Sequence, residues 1–306
     1  MRLVTRGDLD GLTCAVLISF NEEVDALKLI HPQDITEGNF EVGPDDILAN
    51  LPYDPRCGLW FDHHMHTATP AAPPPNFRGA FGAAPSAAHL VYEYYGGEAA
   101  MPGYAELVRE TDRLDSASLT PADVMAPQGW IKVGFTIDGR TGLGPADGRS
   151  GLGSYEGYFL QLLEMLVQQA TVEEVLAHPE VARRCQAMED ADAEFQETLR
   201  IFSHMEGNVV ITDFRPLERI PVGNRFLVYA MFPRANVSVR LHWGPNRQHP
   251  MLVLGHSIFN RSCQTNVGEL AARYGGGGHR GAGSVALMDD PEQQIRMILA
   301  ELKANG

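Results

Sequence analysis

Short apolar runs alternate with helical stretches through the first third of the chain, and this alternation constrains the fold more than any other feature. Residues 2–5 read as a strand, followed by a polar turn and an apolar helix over 12–20. Residues 26–31, 46–51 and 58–61 are further short apolar runs bounded by turn residues. Strands interleaved with helices predict a mostly parallel sheet covered on both faces. The run PAAPPP at 70–75 cannot form regular structure and reads as an exposed loop. Helical periodicity resumes over 85–95, where Pro85 suits a helix start, and again over 104–113.

The glycine-rich stretch 136–153 reads as a surface linker, because it lacks the GxxxxGK[ST] pattern of a phosphate-cradling loop. Residues 155–205 are nearly all helical, and a long helix there is expected to join two domains, 1–204 and 205–306. Beyond Gly207 the pattern turns to β, with strands expected over 209–212, 225–232, 237–242 and 251–255. An amphipathic helix over 267–274, a glycine run, an apolar run over 284–288 and a terminal helix from Pro291 complete the chain. This second half reads as α+β with an antiparallel sheet. The 306 residues are themselves about two domains' worth on a prior of roughly 150 each.

Charge and cysteine usage then remove whole classes of function. The net charge is −15, which argues against long nucleic acid held on a broad electropositive face. It leaves room for a small phosphorylated substrate. Cys14, Cys57, Cys185 and Cys263 lie far apart and form no CxxC pair, so neither a zinc ribbon nor a disulfide framework is expected. The first residues carry charge by Arg6 and show no apolar signal segment, and no run of about 18 apolar residues suggests a membrane span. The expected setting is the cytoplasm, with no membrane partner.

The densest chemical signal is Gly7-Asp8-Leu9-Asp10-Gly11, placed between a strand and a helix. Ligands of open α/β sheets bind outside the carboxyl ends of the strands. Two carboxylates there repel unless a cation compensates, although one can instead cap the helix while the other is solvated. Phe61-Asp62-His63-His64 follows a second apolar run and belongs at another strand's carboxyl end. Imidazole and carboxylate together suit Mn²⁺, Fe²⁺, Co²⁺ or Zn²⁺, and mixed N/O ligation argues against calcium. His66 reads as a solvated loop residue. A third acidic candidate is Glu110-Thr-Asp112-Arg-Leu-Asp115, which also reads as an ordinary helix end with i,i+3 charge pairs.

Asp8-x-Asp10-Gly11, Asp62-His63-His64 and the late glycine motif 275–279 occur in that order across almost the whole chain. In this the sequence resembles the DHH/DHHA1 phosphoesterases, which include exopolyphosphatase-like proteins, oligoribonuclease/pAp-phosphatases, cyclic-dinucleotide phosphodiesterases and RecJ nucleases. The resemblance implies a Rossmann-like, parallel-sheet DHH domain and a smaller α+β DHHA1 domain that binds substrate. It implies two Mn²⁺ ions, and Asp62, His63 and His64 as the catalytic group. His64 would face the phosphate. The family includes dimers, which leaves a homodimer open.

Carried over residue by residue, the resemblance exposes two departures. Arg6 stands where a metal-binding histidine is expected, and Asn50 where an aspartate is expected. Arginine has no lone pair to give a metal, and Asn50 offers only a neutral oxygen. The expected metal residues are therefore Asp8, Asp10, Asn50, His63 and Asp112, holding one Mn²⁺ rather than two, with Mg²⁺ or Co²⁺ as substitutes. A divalent ion between two carboxylates is neutral, and so is Arg6 beside Asp8 and Asn50. Arg6 is thus expected to replace one ion electrostatically, pairing with Asp8 and contacting substrate phosphate.

The expected substrate residues are Arg6, His64, Gly276, Gly277, Gly278, His279 and Arg280, the glycines offering backbone N–H groups to an anion. Arg261 and Asn266 are further candidates on that side. The expected activity is metal-dependent hydrolysis of a phosphodiester or phosphoanhydride in a small substrate: a short oligonucleotide, pAp, a cyclic dinucleotide or polyphosphate. The alternative is an impaired relative that only binds a phospho-ligand.

Overall fold

The early apolar runs pair in parallel, even where only residues 50–58 join the third to the fourth. The structure, a computed structural model, describes residues 1–64, 77–143, 154–244, 247–288 and 290–305. The loop expected at 70–75, His66 and positions 144–153 of the glycine-rich stretch lie outside the described residues. Strands β1 (Arg2–Thr5), β2 (Ala26–Leu29), β3 (Asp46–Ala49), β4 (Leu59–Asp62) and β5 (Gly79–Phe81) form one sheet in the order β2-β1-β3-β4-β5. Every pairing in it is parallel, with Val4 opposite both Lys28 and Leu48, and Ala49 opposite Phe61. The three-residue β5 was not expected.

Helices α1 (Leu9–Asn21), α2 (Pro32–Thr36), α3 (Ala87–Tyr94), α4 (Gly97–Ala100) and α5 (Ala105–Asp115) belong with this sheet. Pro85 lies outside α3, whose cap is Ser86. Next come α6 (Pro121–Met125), α7 (Gly129–Ile137), α8 (Tyr155–Val167), α9 (Val172–Ala177) and α10 (Pro179–Phe202). The start of the expected linker is thus the end of α7 and a single 3₁₀ turn, Gly139–Thr141. The chain forms two compact units, Met1–Leu119 with Pro127–Met188, and Thr120–Ala126 with Glu189–Gly306; α10 runs from the first into the second.

The second unit contains β6 (Ser203–Glu206), β7 (Val209–Asp213), α11 (Leu227–Met231), β8 (Val237–Trp243), β9 (Pro250–His256), α12 (Val267–Ala272), β10 (Gly277–His279), β11 (Ala282–Ala286) and α13 (Pro291–Ala304). Its sheet runs β10-β11-β9-β8-β7-β6. It is mixed rather than antiparallel, because β7 and β8 pair in parallel. The long connection between them permits that crossover. The same connection holds α11 where a strand was expected over 225–232. Asn224 Oδ1 accepts from Phe226 N at 3.0 Å and Leu227 N donates to Asn224 O, which turns the chain into a helix. A continuous apolar run has no period to decide between the two forms. Val237, Val239 and Leu241 alternate with Ser238, Arg240 and His242, and bury one face of β8 against Leu270, Ile298 and Leu302.

Candidate active site

The strand order reverses between β2 and β3 on either side of β1, which opens a crevice at the carboxyl ends of β1 and β3. Asp8 follows β1, and Asn50 follows β3 in the left-handed region at φ 56°, a conformation asparagine tolerates. Asp8 caps α1 by accepting from Gly11 N at 3.0 Å. Glycine is required at position 11, since a Cβ there would sit 2.1 Å from Arg6 O. The other donors to Asp8 are Asn50 Nδ2 at 3.1 Å and the Arg6 guanidinium, with Nη2 at 3.3 Å. Arg6, Asp8 and Asn50 therefore come together, and protein donors already surround the Asp8 carboxylate.

Asp10, in the first turn of α1, is only 2% exposed. The N-terminus of α3 holds it, with Ala87 N at 3.0 Å and Ala88 N at 2.7 Å from its oxygens. Positive partial charge at a helix N-terminus suits a carboxylate. His63 leaves the end of β4 with Nδ1 3.0 Å from Ala84 O, which fixes the proton on Nδ1 and turns Nε2 inward. Nε2 lies 3.8 Å from Asp10 Oδ2 and 3.1 Å from Asp115 Oδ2. Asp10, His63 and Asp115 are a metal-competent group, with one ligand atom from each lying within 4.8 Å of the others.

Here the structure corrects the sequence reading: the helical carboxylate beside His63 is Asp115, not Asp112. Asp112 is engaged elsewhere, accepting from Ser86 Oγ at 2.6 Å and His89 Nδ1 at 2.9 Å. It braces the cap of α3, which in turn holds Asp10. Asp115 was legible as part of the same acidic helix end, but nothing in the spacing separated it from Asp112.

The charges are those of a site built around a cation. Burial, and then the charge of Asp115, push the Asp10 carboxyl up to about 7 against the pull of His63. Burial would lower His63, but contact with Asp115 and the charge of Asp10 outweigh it and raise the imidazole to about 9. For Asp115, burial is outweighed by His63, His64 and Arg6, which hold the carboxyl below its ordinary range. Asn50 Oδ1 and Asp62 Oδ2 are buried without a hydrogen-bond partner, and His63 Nε2 meets only carboxylate oxygens. Orphaned atoms of this kind cost about 1–3 kcal/mol each. Two oxygens and an imidazole nitrogen are the donor set a divalent cation would satisfy, so the residues fit such an ion.

Asp62 anchors the following turn. Its Oδ1 accepts from His63 N at 3.0 Å and from His64 Nδ1 at 2.8 Å. His64 packs edge-on against His63, with 4.3 Å between ring centroids, and is 22% exposed.

In the second unit the glycine motif forms an exposed strand, β10, in place of the expected anion nest. Its glycines answer steric demands: a Cβ on Gly276 would meet Ser284 O at 2.0 Å, and one on Gly278 would meet Ala282 O at 2.2 Å. Gly277 has open space around it. His279 and Arg280 are exposed at the hairpin end, with His279 Nδ1 accepting from Gly281 N at 3.2 Å. Asn266 is the cap of α12. No helix among the described residues is long and apolar enough to cross a membrane.

No protein-family model matches the chain, and no curated protein does. Among solved structures it is similar to a pGpG-specific phosphodiesterase, PggH, from Vibrio cholerae, with TM-score 0.80 and 36% identity, covering 100% of this chain and 99% of the other. It is also similar to RecJ in complex with Mn²⁺ from Thermus thermophilus, with TM-score 0.54 and 14% identity, over 99% of this chain and 51% of that one. An exopolyphosphatase-related protein from Bacteroides fragilis matches with TM-score 0.50 and 11% identity, over 99% and 92% of the two chains. At those lower identities the last two support the fold alone.

Proposed function

Because the chain belongs to the DHH phosphoesterase superfamily and is a metal-dependent hydrolase of phosphoester bonds, we propose that it cleaves pGpG or a closely similar short linear dinucleotide, using one Mn²⁺ ion. The observation that carries the chemistry is the Asp10–His63–Asp115 group, in which His63 Nε2 faces two carboxylates. Identity of 36% along the full chain supports the substrate class.

Asp10, His63 and Asp115 hold the ion, with Asp62 Oδ2 and Asn50 Oδ1 as further oxygens in reach of the same strand ends. When bound, a divalent ion supplies Lewis acidity toward a phosphoryl oxygen and activates water at neutral pH. Ala84 O keeps the His63 lone pair on Nε2. Asp62 holds the His64 ring by Nδ1, so that its other nitrogen can donate to a phosphate oxygen or pass a proton to the leaving oxygen. A second ion is not needed at Asp8, where Arg6 supplies the positive charge.

The test is hydrolysis of pGpG, with pApA and bis-p-nitrophenyl phosphate alongside, in Mn²⁺ and in EDTA. Mn²⁺-dependent release of GMP, lost in Asp62→Ala, is expected. Equal turnover by Asp62→Ala, or none by the wild type, would overturn this function.

A further inference from the structure

Two guanidinium groups sit on turns that are held together next to Asp8, and only one of them belongs to a motif. The motif member is Arg6, whose contact with Asp8 is a 3.3 Å ion pair and whose side chain is 24% exposed. The other is Arg140, on the 3₁₀ turn that follows α7. Asp138 caps this turn and tethers the arginine, accepting from Arg140 N at 2.9 Å and from Arg140 Nε at 2.6 Å. The Tyr155 hydroxyl touches both Gly7 O and Ile137 O, the latter at 2.8 Å. One side chain thus pins the turn carrying Arg140 against the turn carrying Arg6 and Asp8.

Electrostatics place Arg140 in the same field. The half-exposed side chain is only partly desolvated, and Asp138, then Asp8 and Asp115, favour its charged form. Its hydrogen bonding is unlike that of a structural arginine. Arg184, 1% exposed, spends Nε on Glu180 and Nη1 on Leu143 O, and stacks 4.1 Å above the Tyr158 ring. Arg140 commits only Nε, its Nη groups make no hydrogen bond among the described residues, and the side chain is 46% exposed. A guanidinium fixed at Nε with its outer N–H groups unspent can grip two oxygens of one phosphate.

We infer that Arg140 joins Arg6 in a two-guanidinium clamp on a substrate phosphate, filling the charge role that a second metal ion would play. The inference rests on the phosphoesterase reading above and adds a residue that no motif contains. Two fixed cations beside the reacting phosphate stabilise charge that develops as the ester breaks, without adding a metal site.

The test compares wild type, Arg140→Ala and Arg140→Lys in the full chain, reading pGpG kinetics in Mn²⁺, bound Mn²⁺ per chain, and the thermal midpoint in EDTA. Arg140→Ala should lower kcat/KM by about 10²–10³-fold with bound Mn²⁺ unchanged. Arg140→Lys keeps a charge for Asp138 but loses the fork, and should fall about tenfold. It decides the matter if Arg140→Ala melts early. Wild-type kinetics in either variant, or loss of bound Mn²⁺ in step with activity, would overturn the clamp. If the wild type leaves pGpG intact, the substrate reading fails separately. The clamp is then judged by calorimetric binding of inorganic phosphate to the Mn²⁺-loaded chain, which Arg140→Ala must weaken at least tenfold.

Discussion

Restoring the two departed motif residues, as Arg6→His with Asn50→Asp, should convert an ion pair into a cation site. Asn50 Nδ2 now donates to Asp8 Oδ1 at 3.1 Å, and Arg6 neutralises that carboxylate at 3.3 Å. In the double variant an aspartate replaces the donor and a neutral imidazole replaces the cation. Two carboxylates at that separation repel by about 5 kcal/mol at an effective dielectric of 20. Aspartate also tolerates the left-handed backbone at position 50, so the change is electrostatic and not conformational. The variant should melt well below wild type in EDTA and recover in Mn²⁺. A site filled to 100 times its Kd returns about 2.7 kcal/mol. Differential scanning fluorimetry in EDTA and in 1 mM Mn²⁺, with elemental analysis of the desalted protein, reads both effects; that concentration reaches 100 times Kd when Kd is about 10 μM. One ion per wild-type chain and a second in the variant are expected. Two tightly bound ions in the wild type, or an EDTA midpoint unmoved in the variant, would refute the charge replacement.

The two helical carboxylates should separate cleanly. Asp115→Asn is expected to lose bound Mn²⁺ and with it activity, whereas Asp112→Ala should keep the ion while costing about 1–2 kcal/mol of stability through the lost bonds to Ser86 and His89; elemental analysis and urea melts distinguish them. Asp46 tests acid stability away from the site. Burial would raise its pKa, but the Arg2 fork at 2.7 Å and Gly43 N hold the carboxyl below its ordinary value. A depressed folded pKa gives stability that is present above about pH 4 and lost as pH falls through the folded value. Arg2 is 41% exposed and solvent screens the pair, so Asp46→Asn should cost about 1 kcal/mol at pH 7 and flatten the acid limb of a stability–pH curve. An unchanged limb would show that the pair contributes nothing.

Much of the first unit was readable from local pattern. A turn of the Asp-x-Asp-Gly type after a strand has few foldings: Asp8 must cap, and Gly11 must clear Arg6 O. The Asp62-His63-His64 run likewise falls at a strand end because the four residues before Asp62 include a buried apolar pair, Trp60 and Phe61. Where the apolar pattern had no period, as over 225–232, strand and helix were not separable, and Asn224 settled the outcome through its side chain.

The sequence alone therefore determined the parallel sheet, the place of the acidic turn and the strand end that carries Asp62, His63 and His64, since each depends on residues close together in the chain. Only the tertiary structure placed Asp115 rather than Asp112 beside His63 and brought the turn of Arg140 against that of Arg6. Positions 112 and 115 are three apart and share one side of a helix. Their roles are split by the rotation and depth of α5, set by the buried Thr13–Thr111 contact at 2.8 Å and the Asp112 bonds to Ser86 and His89. Arg140 is 134 positions from Arg6, and a single tyrosine hydroxyl joins their turns. Contacts of that span are fixed by packing, which spacing along a chain does not encode.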